Sequence, residues 1–200
     1  MQHHHPLTLT LTTLFIFLLF TFSSSHEDLI HSSCLHARYP TLCLRTLSNY
    51  SGPADTPLDV ARAALRVSLA HARRASHYLH TSNGGASSTS SSKRQRAALS
   101  DCAELVADSV EELRKSLEEL QHLRPETFRW QMSNAMTWVS AALTDGDTCL
   151  DGGSVRLDVK RRVTDLAMVT SNALYMINRL GQGGPGKPVP HSRPGLSVKN

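Results

Sequence analysis

Residues Leu99 to Leu120, LSDCAELVADSVEELRKSLEEL, place apolar side chains at Leu99, Cys102, Leu105, Val106, Leu113, Leu117 and Leu120. At about 3.6 residues per turn these positions form one stripe, so the stretch reads as an amphipathic helix that must bury that stripe against a partner. Upstream, Thr56 to His80 repeats the pattern at Leu58, Ala61, Leu65, Leu69, Ala72, Ala75 and Leu79. Thr56, Pro57 and Asp59 supply a capping hydroxyl, a proline suited to the first turn and an acid near the positive end of the helix dipole. The Gly- and Ser-rich run Asn83 to Ser92 ends this helix, since such residues bury too little apolar surface to offset their ordering entropy.

Downstream, Pro125 is expected to begin a third helix through Phe128, Met132, Trp138, Val139 and Leu143, closed by Gly152 and Gly153. A fourth is expected over about Arg156 to Leu180, with Leu157, Val163, Leu166, Ala173, Leu174, Ile177 and Leu180 inward and Gly181 as its stop. No segment alternates with period two over a useful length. The fold class expected is therefore all-α, an antiparallel up-down-up-down four-helix bundle.

Leu7 to Phe22 is apolar apart from threonines, too short for a membrane span, and followed by Ser23, Ser24 and Ser25. It reads as a secretory signal over residues 1–25, although its leading segment carries His3, His4 and His5 in place of Lys or Arg. The bundle domain then covers 26–181. A basic, Gly- and Pro-rich tail at 182–200 offers neither an anchor signal nor a retention tetrapeptide. A secreted, extracellular protein is expected, with no membrane contact after signal cleavage.

Behind a signal peptide, Cys34, Cys43, Cys102 and Cys149 are expected to form two disulfides. Four cysteines allow three pairings, and sequence alone leaves them open. A local Cys34 to Cys43 bridge would hold a small hairpin turned at Tyr39 and Pro40. Antiparallel packing would bring Cys102 towards Cys149. On the loop-entropy model those bridges contribute roughly 2.5–3 and about 4 kcal/mol.

Three stretches, CLHARYPTLCLRTLS at Cys34 to Ser48, TWVSAALTDGDTCLDG at Thr137 to Gly152 and VTSNALYMINRL at Val169 to Leu180, resemble the plant invertase and pectin methylesterase inhibitors in order and spacing. The resemblance covers about Leu29 to Leu180. It implies a four-helix bundle with an N-terminal helical hairpin, cysteines paired first with second and third with fourth, and stoichiometric inhibition of a carbohydrate-active wall enzyme. The segment Ser140 to Cys149 looks like the pectin methylesterase branch. The Pro-Lys-Phe element usual before the fourth cysteine of the invertase branch is absent; the nearest thing, Arg124 to Phe128, carries Glu126 where the lysine would stand. The expected partner is thus a plant pectin methylesterase, with an acid invertase as the alternative target. Such domains also precede catalytic domains as pro-regions; with none before Asn200, the free inhibitor is the reading preferred.

In that family the bundle lies across the esterase's substrate cleft through largely polar contacts, which implies steric exclusion without cofactor or nucleophile. The polar positions available for it are Glu104, Asp108, Glu111, Glu112, Lys115 and Glu119 on one helix, and Ser133, Ser140, Thr144, Asp145 and Asp147 on the next. Asp101 to Leu120 holds seven acids and two bases. A solvated face is the plainer account of that charge.

No Gly-x-Ser-x-Gly elbow or phosphate-cradling glycine loop occurs, so an enzyme is not expected. Asp145, Asp147 and Asp151 lack the closing glutamate of a calcium loop, and Cys149 sits at one of its ligand positions. His71, His77 and His80 lack a carboxylate or cysteine beside them for a metal and read as surface groups. Trp130 and Trp138, with Met132 and Met136, read as core. Asn49-Tyr50-Ser51 is a glycosylation acceptor. Arg62, Arg66, Arg73, Arg74 and the basic tail, with a formal charge of +4 over the chain, suit weak contact with an acidic wall polysaccharide such as pectin. Nucleic acid is excluded by compartment. A pectin-binding structural wall protein is the remaining alternative function.

Overall fold

The computed structural model describes residues 27–84, 92–152 and 155–183. The expected signal segment and all but the first residues of the expected tail lie outside these residues. Two short helices, α1 (27–34) and α2 (Pro40–Ser48), precede four long ones: α3 (Pro57–Gly84), α4 (Lys93–Gln121), α5 (Phe128–Asp151) and α6 (Leu157–Gly183). A single 3-10 turn, Pro125–Thr127, leads into α5. Each long helix packs against two others, α3 on α4, α4 on α5, α5 on α6 and α6 on α3, which closes the antiparallel bundle. No strand occurs among the described residues.

The starts of two long helices follow from local chemistry. Ser92 and Gln95 form a reciprocal capping box at α4, Gln95 N–H donating to Ser92 Oγ at 3.2 Å and Ser92 N–H to Gln95 Oε1 at 3.1 Å. Thr56 Oγ accepts from Asp59 N–H at 3.1 Å ahead of α3. The last turn of α4 is held differently: Arg62 of α3 donates through Nε and Nη2 to Leu120 O, at 3.1 and 2.8 Å. That guanidinium meets a helix carbonyl that would otherwise have no intrahelical donor.

The core is built from Val60, Leu65, Leu79, Val106, Leu113, Leu120, Val139, Val159, Val163, Leu166 and Ile177, all essentially inaccessible. Three expectations are corrected. Leu157 is 65% exposed, because the buried stripe of α6 runs through Val159, Val163 and Leu166 and a residue two positions before Val159 points the opposite way. Trp130 is 64% exposed for the same reason relative to Met132, and Trp138 is only half-buried. Gly181 does not stop α6, which continues to Gly183; its Cα keeps right-handed geometry and an added Cβ would meet only Met132 Cε at 3.7 Å.

The cysteines pair Cys34 with Cys43 and Cys102 with Cys149, with Cα separations of 5.5 and 4.7 Å. The first bridge closes the hairpin of α1 and α2, and α2 packs on α3 and α6. One side chain fixes this docking. Asn172 of α6, 3% exposed, accepts from Tyr39 N–H at 2.9 Å and donates to Tyr39 O at 3.1 Å, a two-point amide clamp on the backbone between the helices.

Candidate functional site: the α4–α5 face

The two helices that carry the expected contact residues are joined by a regular seam. Cys102 bonds to Cys149; seven residues along α4 and seven back along α5, Ser109 Oγ donates to Ala142 O at 3.3 Å; seven further, Ser116 Oγ donates to Ala135 O at 2.9 Å. Small side chains at Ser109, Ser116, Ala135 and Ala142 permit this close approach, and each buried hydroxyl finds a carbonyl across the interface. Where the chain turns from α4 to α5, the buried amide of Gln131 accepts from Arg124 N–H and Thr127 Oγ at 2.9 and 2.8 Å and donates to His122 O at 2.9 Å. The pair α4–α5 is therefore fixed at both ends and along its length.

Beside the seam runs a line of polar pairs. Asn134 Nδ2 donates to Glu119 Oε1 at 2.9 Å, Lys115 Nζ lies 4.5 Å from the Trp138 ring centre, and the carboxyls of Glu112 and Asp145 face each other with the Asp108 charge close by. Trp138 thus serves as a cation–π platform at the surface rather than as a core residue.

Glu112 and Asp145 form an acid pair. Partial burial raises the Glu112 carboxyl, the hydrogen bond and charge of Asp145 and the charge of Asp108 raise it further, and Lys115 offsets a little, leaving it at about 7. Asp145 is also raised, chiefly by burial and secondarily by Asp108, while the bond from Glu112 holds it down. Glu112 Oε2 and Asp145 Oδ2 are inaccessible and have no hydrogen-bond partner among the described residues. A single proton shared between the two carboxyls would satisfy both buried oxygens, and the raised Glu112 carboxyl favours that arrangement.

The remaining expected contact residues lie outside this line. Glu104 is exposed on α4, and Glu111 is exposed in an intrahelical chain in which Arg114 pairs with both Glu111 and Glu118. The hydrogen bond from Arg114 holds the Glu111 carboxyl below its ordinary value. Ser133, Ser140, Thr144 and Asp147 are exposed on α5, with Thr144 Oγ donating back to Ser140 O at 3.1 Å. So Asp108, Glu112, Lys115, Glu119 and Asp145 come together, whereas Glu104, Glu111, Ser133, Ser140, Thr144 and Asp147 stand separately on the outer faces. Asn134 and Trp138 belong to the line but are not among the expected contacts; their positions about three and two helical turns before Asp145 are the available signal. Asp145, Asp147 and Asp151 all lie within α5, which cannot wrap a cation. Among the described residues no group of three or more His, Cys, Asp and Glu could hold a metal ion.

Residues 28–176 match the family model for plant invertase/pectin methylesterase inhibitor. The chain belongs to the plant invertase and pectin methylesterase inhibitor family. Within it, the chain is 50% identical over 188 residues to pectinesterase inhibitor 3 of Arabidopsis thaliana, covering 85% of this chain and 90% of that protein. It is 37% identical to pectinesterase inhibitor 9 of the same plant, over 80% of this chain and 83% of that one. A crystal structure of a mutant form of an Arabidopsis pectin methylesterase inhibitor superposes with a TM-score of 0.60 at 23% identity, covering 77% of this chain and 96% of that one, a likeness of fold. The disulfide pairing and the α1–α2 hairpin of this chain are those that the family resemblance implies.

Proposed function

We propose that the chain is a secreted inhibitor of pectin methylesterase that acts in the apoplast and cell wall, forming a stoichiometric complex over the enzyme's substrate cleft and so restraining pectin de-esterification. The observation that carries this reading is the likeness, along nearly their full length, to Arabidopsis proteins named pectinesterase inhibitors. The α4–α5 face supports it physically. A rigid surface loses little conformational freedom on binding, and polar groups held in place by their neighbours match a partner without rearrangement. Asp108, Glu112, Lys115, Glu119 and Asp145 would form the centre of the contact, with Glu104, Glu111, Ser133, Ser140, Thr144 and Asp147 as flanking contacts. Electrostatic complementarity there would set association rate and specificity. No step of this account uses catalysis, a cofactor or nucleic acid. A weak contact with acidic pectin is part of the same proposal, and Asn49, exposed at the end of α2, is its glycosylation site.

Gel filtration of the protein with a plant pectin methylesterase tests the proposal. A one-to-one complex at micromolar concentration is expected; separate elution of the two would contradict it.

A further inference from the structure

On the opposite side of the bundle from the α4–α5 face, α2, α3 and α6 enclose an open groove of about 470 Å³, within the size range of small-ligand sites. Its charged lining is Arg45 of α2, His71 and Arg74 of α3, and Asp165 of α6. Among the described residues neither guanidinium makes an ion pair or a side-chain hydrogen bond, so two forks of donors lie beside the groove uncommitted. Leu42 and Val67 give it an apolar wall. Thr46 Oγ already donates to Leu42 O at 2.8 Å and Asn49 Nδ2 to Arg45 O at 2.8 Å, which leaves Thr46 Oγ and Asn49 Oδ1 as acceptors. Guanidinium forks, hydroxyl acceptors and an apolar wall are what a carboxylated sugar needs: a carboxylate, ring hydroxyls and a C–H face.

We propose that this groove binds an acidic saccharide, a uronate unit of de-esterified pectin, whose carboxylate is taken by Arg45 and Arg74. The choice of pectin as the source rests on the proposed esterase target; the preference for a carboxylated sugar rests on the groove itself. Because the groove and the α4–α5 face lie on opposite sides, one molecule can hold product polymer and enzyme together. The site also has a proton readout. His71 is kept below its ordinary value first by burial and then by Arg74 and Arg45, with Asp165 alone opposing. A carboxylate seated between the guanidiniums would raise it.

The test is calorimetric titration of the full secreted chain with an oligogalacturonide and no enzyme present, in a Ser51→Ala background that removes the sequon and any glycan at Asn49. Binding that weakens with salt is expected, with a rise in the His71 titration midpoint by NMR. The methyl-esterified oligomer should not bind. Arg45→Gln and Arg74→Gln should each lower affinity by about tenfold or more, the loss of one charge-assisted bidentate contact, while melting temperature and esterase inhibition stay unchanged. Asp165→Asn should tighten binding, an effect that misfolding cannot imitate. Equal binding of the ester, binding indifferent to both arginines, or equally tight binding of poly-aspartate would overturn the proposal. An inhibitor that fails this test still inhibits; a wrong target would leave oligogalacturonide binding intact.

Discussion

At the scale of single residues the acid pair on the α4–α5 face makes a definite demand on pH. Glu112 is raised in the folded protein to about 7 from an ordinary 4.5, so between those values the native state holds a proton that the unfolded chain has released. The stability that this group contributes is therefore full below about 4.5 and is lost as pH rises through about 7, the slope following the excess proton of the native state. Asp145, raised in the same sense, adds to it. Glu112→Gln keeps a donor to Asp145 but removes the titrating carboxyl. Thermal melts from pH 4.5 to pH 7 should show the parent losing melting temperature relative to the variant, while His71, held below its ordinary value, contributes in the opposite sense equally in both. Parallel profiles would mean that the two carboxyls do not share a proton. The other residues that fix the structure, Asn172 and Gln131, left almost no mark in the sequence. Each is a buried amide whose role depends on a backbone it meets only after folding, 133 and 7–9 positions away.

Helices were legible where several apolar side chains agree on one stripe, as in Leu99 to Leu120, whose stripe residues are buried or half-buried. Legibility failed at helix ends, where one residue decides. Apolarity alone points Leu157 inward although Val159, Val163 and Leu166 define a different face, and Gly181 reads as a stop although α6 has no left-handed residue there. The α4–α5 seam was half visible: the cysteines were evident, but serines seven residues apart look like surface residues until alanines face them. This seam also ranks the two disulfides. Cys102–Cys149 closes a loop of 47 positions and joins two long helices, while Cys34–Cys43 spans 9 and has the Asn172 clamp beside it. Replacing Cys102 or Cys149 by Ser should lower the melting temperature more than replacing Cys34 or Cys43, since the longer loop constrains the unfolded chain more. Equal losses would show that loop length does not govern the effect.

Across the whole molecule the charges are divided, acids along α4 and uncommitted arginines beside the groove of α2, α3 and α6. In the proposed account the two sides meet different partners. On the side proposed to face the enzyme, Thr144 and Asp147 are exposed on α5, so Thr144→Arg and Asp147→Arg should change stability by about 0.5 kcal/mol or less. If the esterase covers α5 there, an unpaired arginine in the contact should weaken inhibition by at least about tenfold. Unchanged inhibition by both would confine the contact to the line of Asp108, Glu112, Lys115, Glu119 and Asp145. The contact residues remained the least legible part of the sequence, because a recognition surface and a solvated helix face use the same side chains. The most direct measurement is a parallel titration of the purified protein against a plant pectin methylesterase and a plant acid invertase. The account predicts loss of esterase activity with an equivalence point near one to one and an unaffected invertase; inhibition confined to the invertase would contradict it.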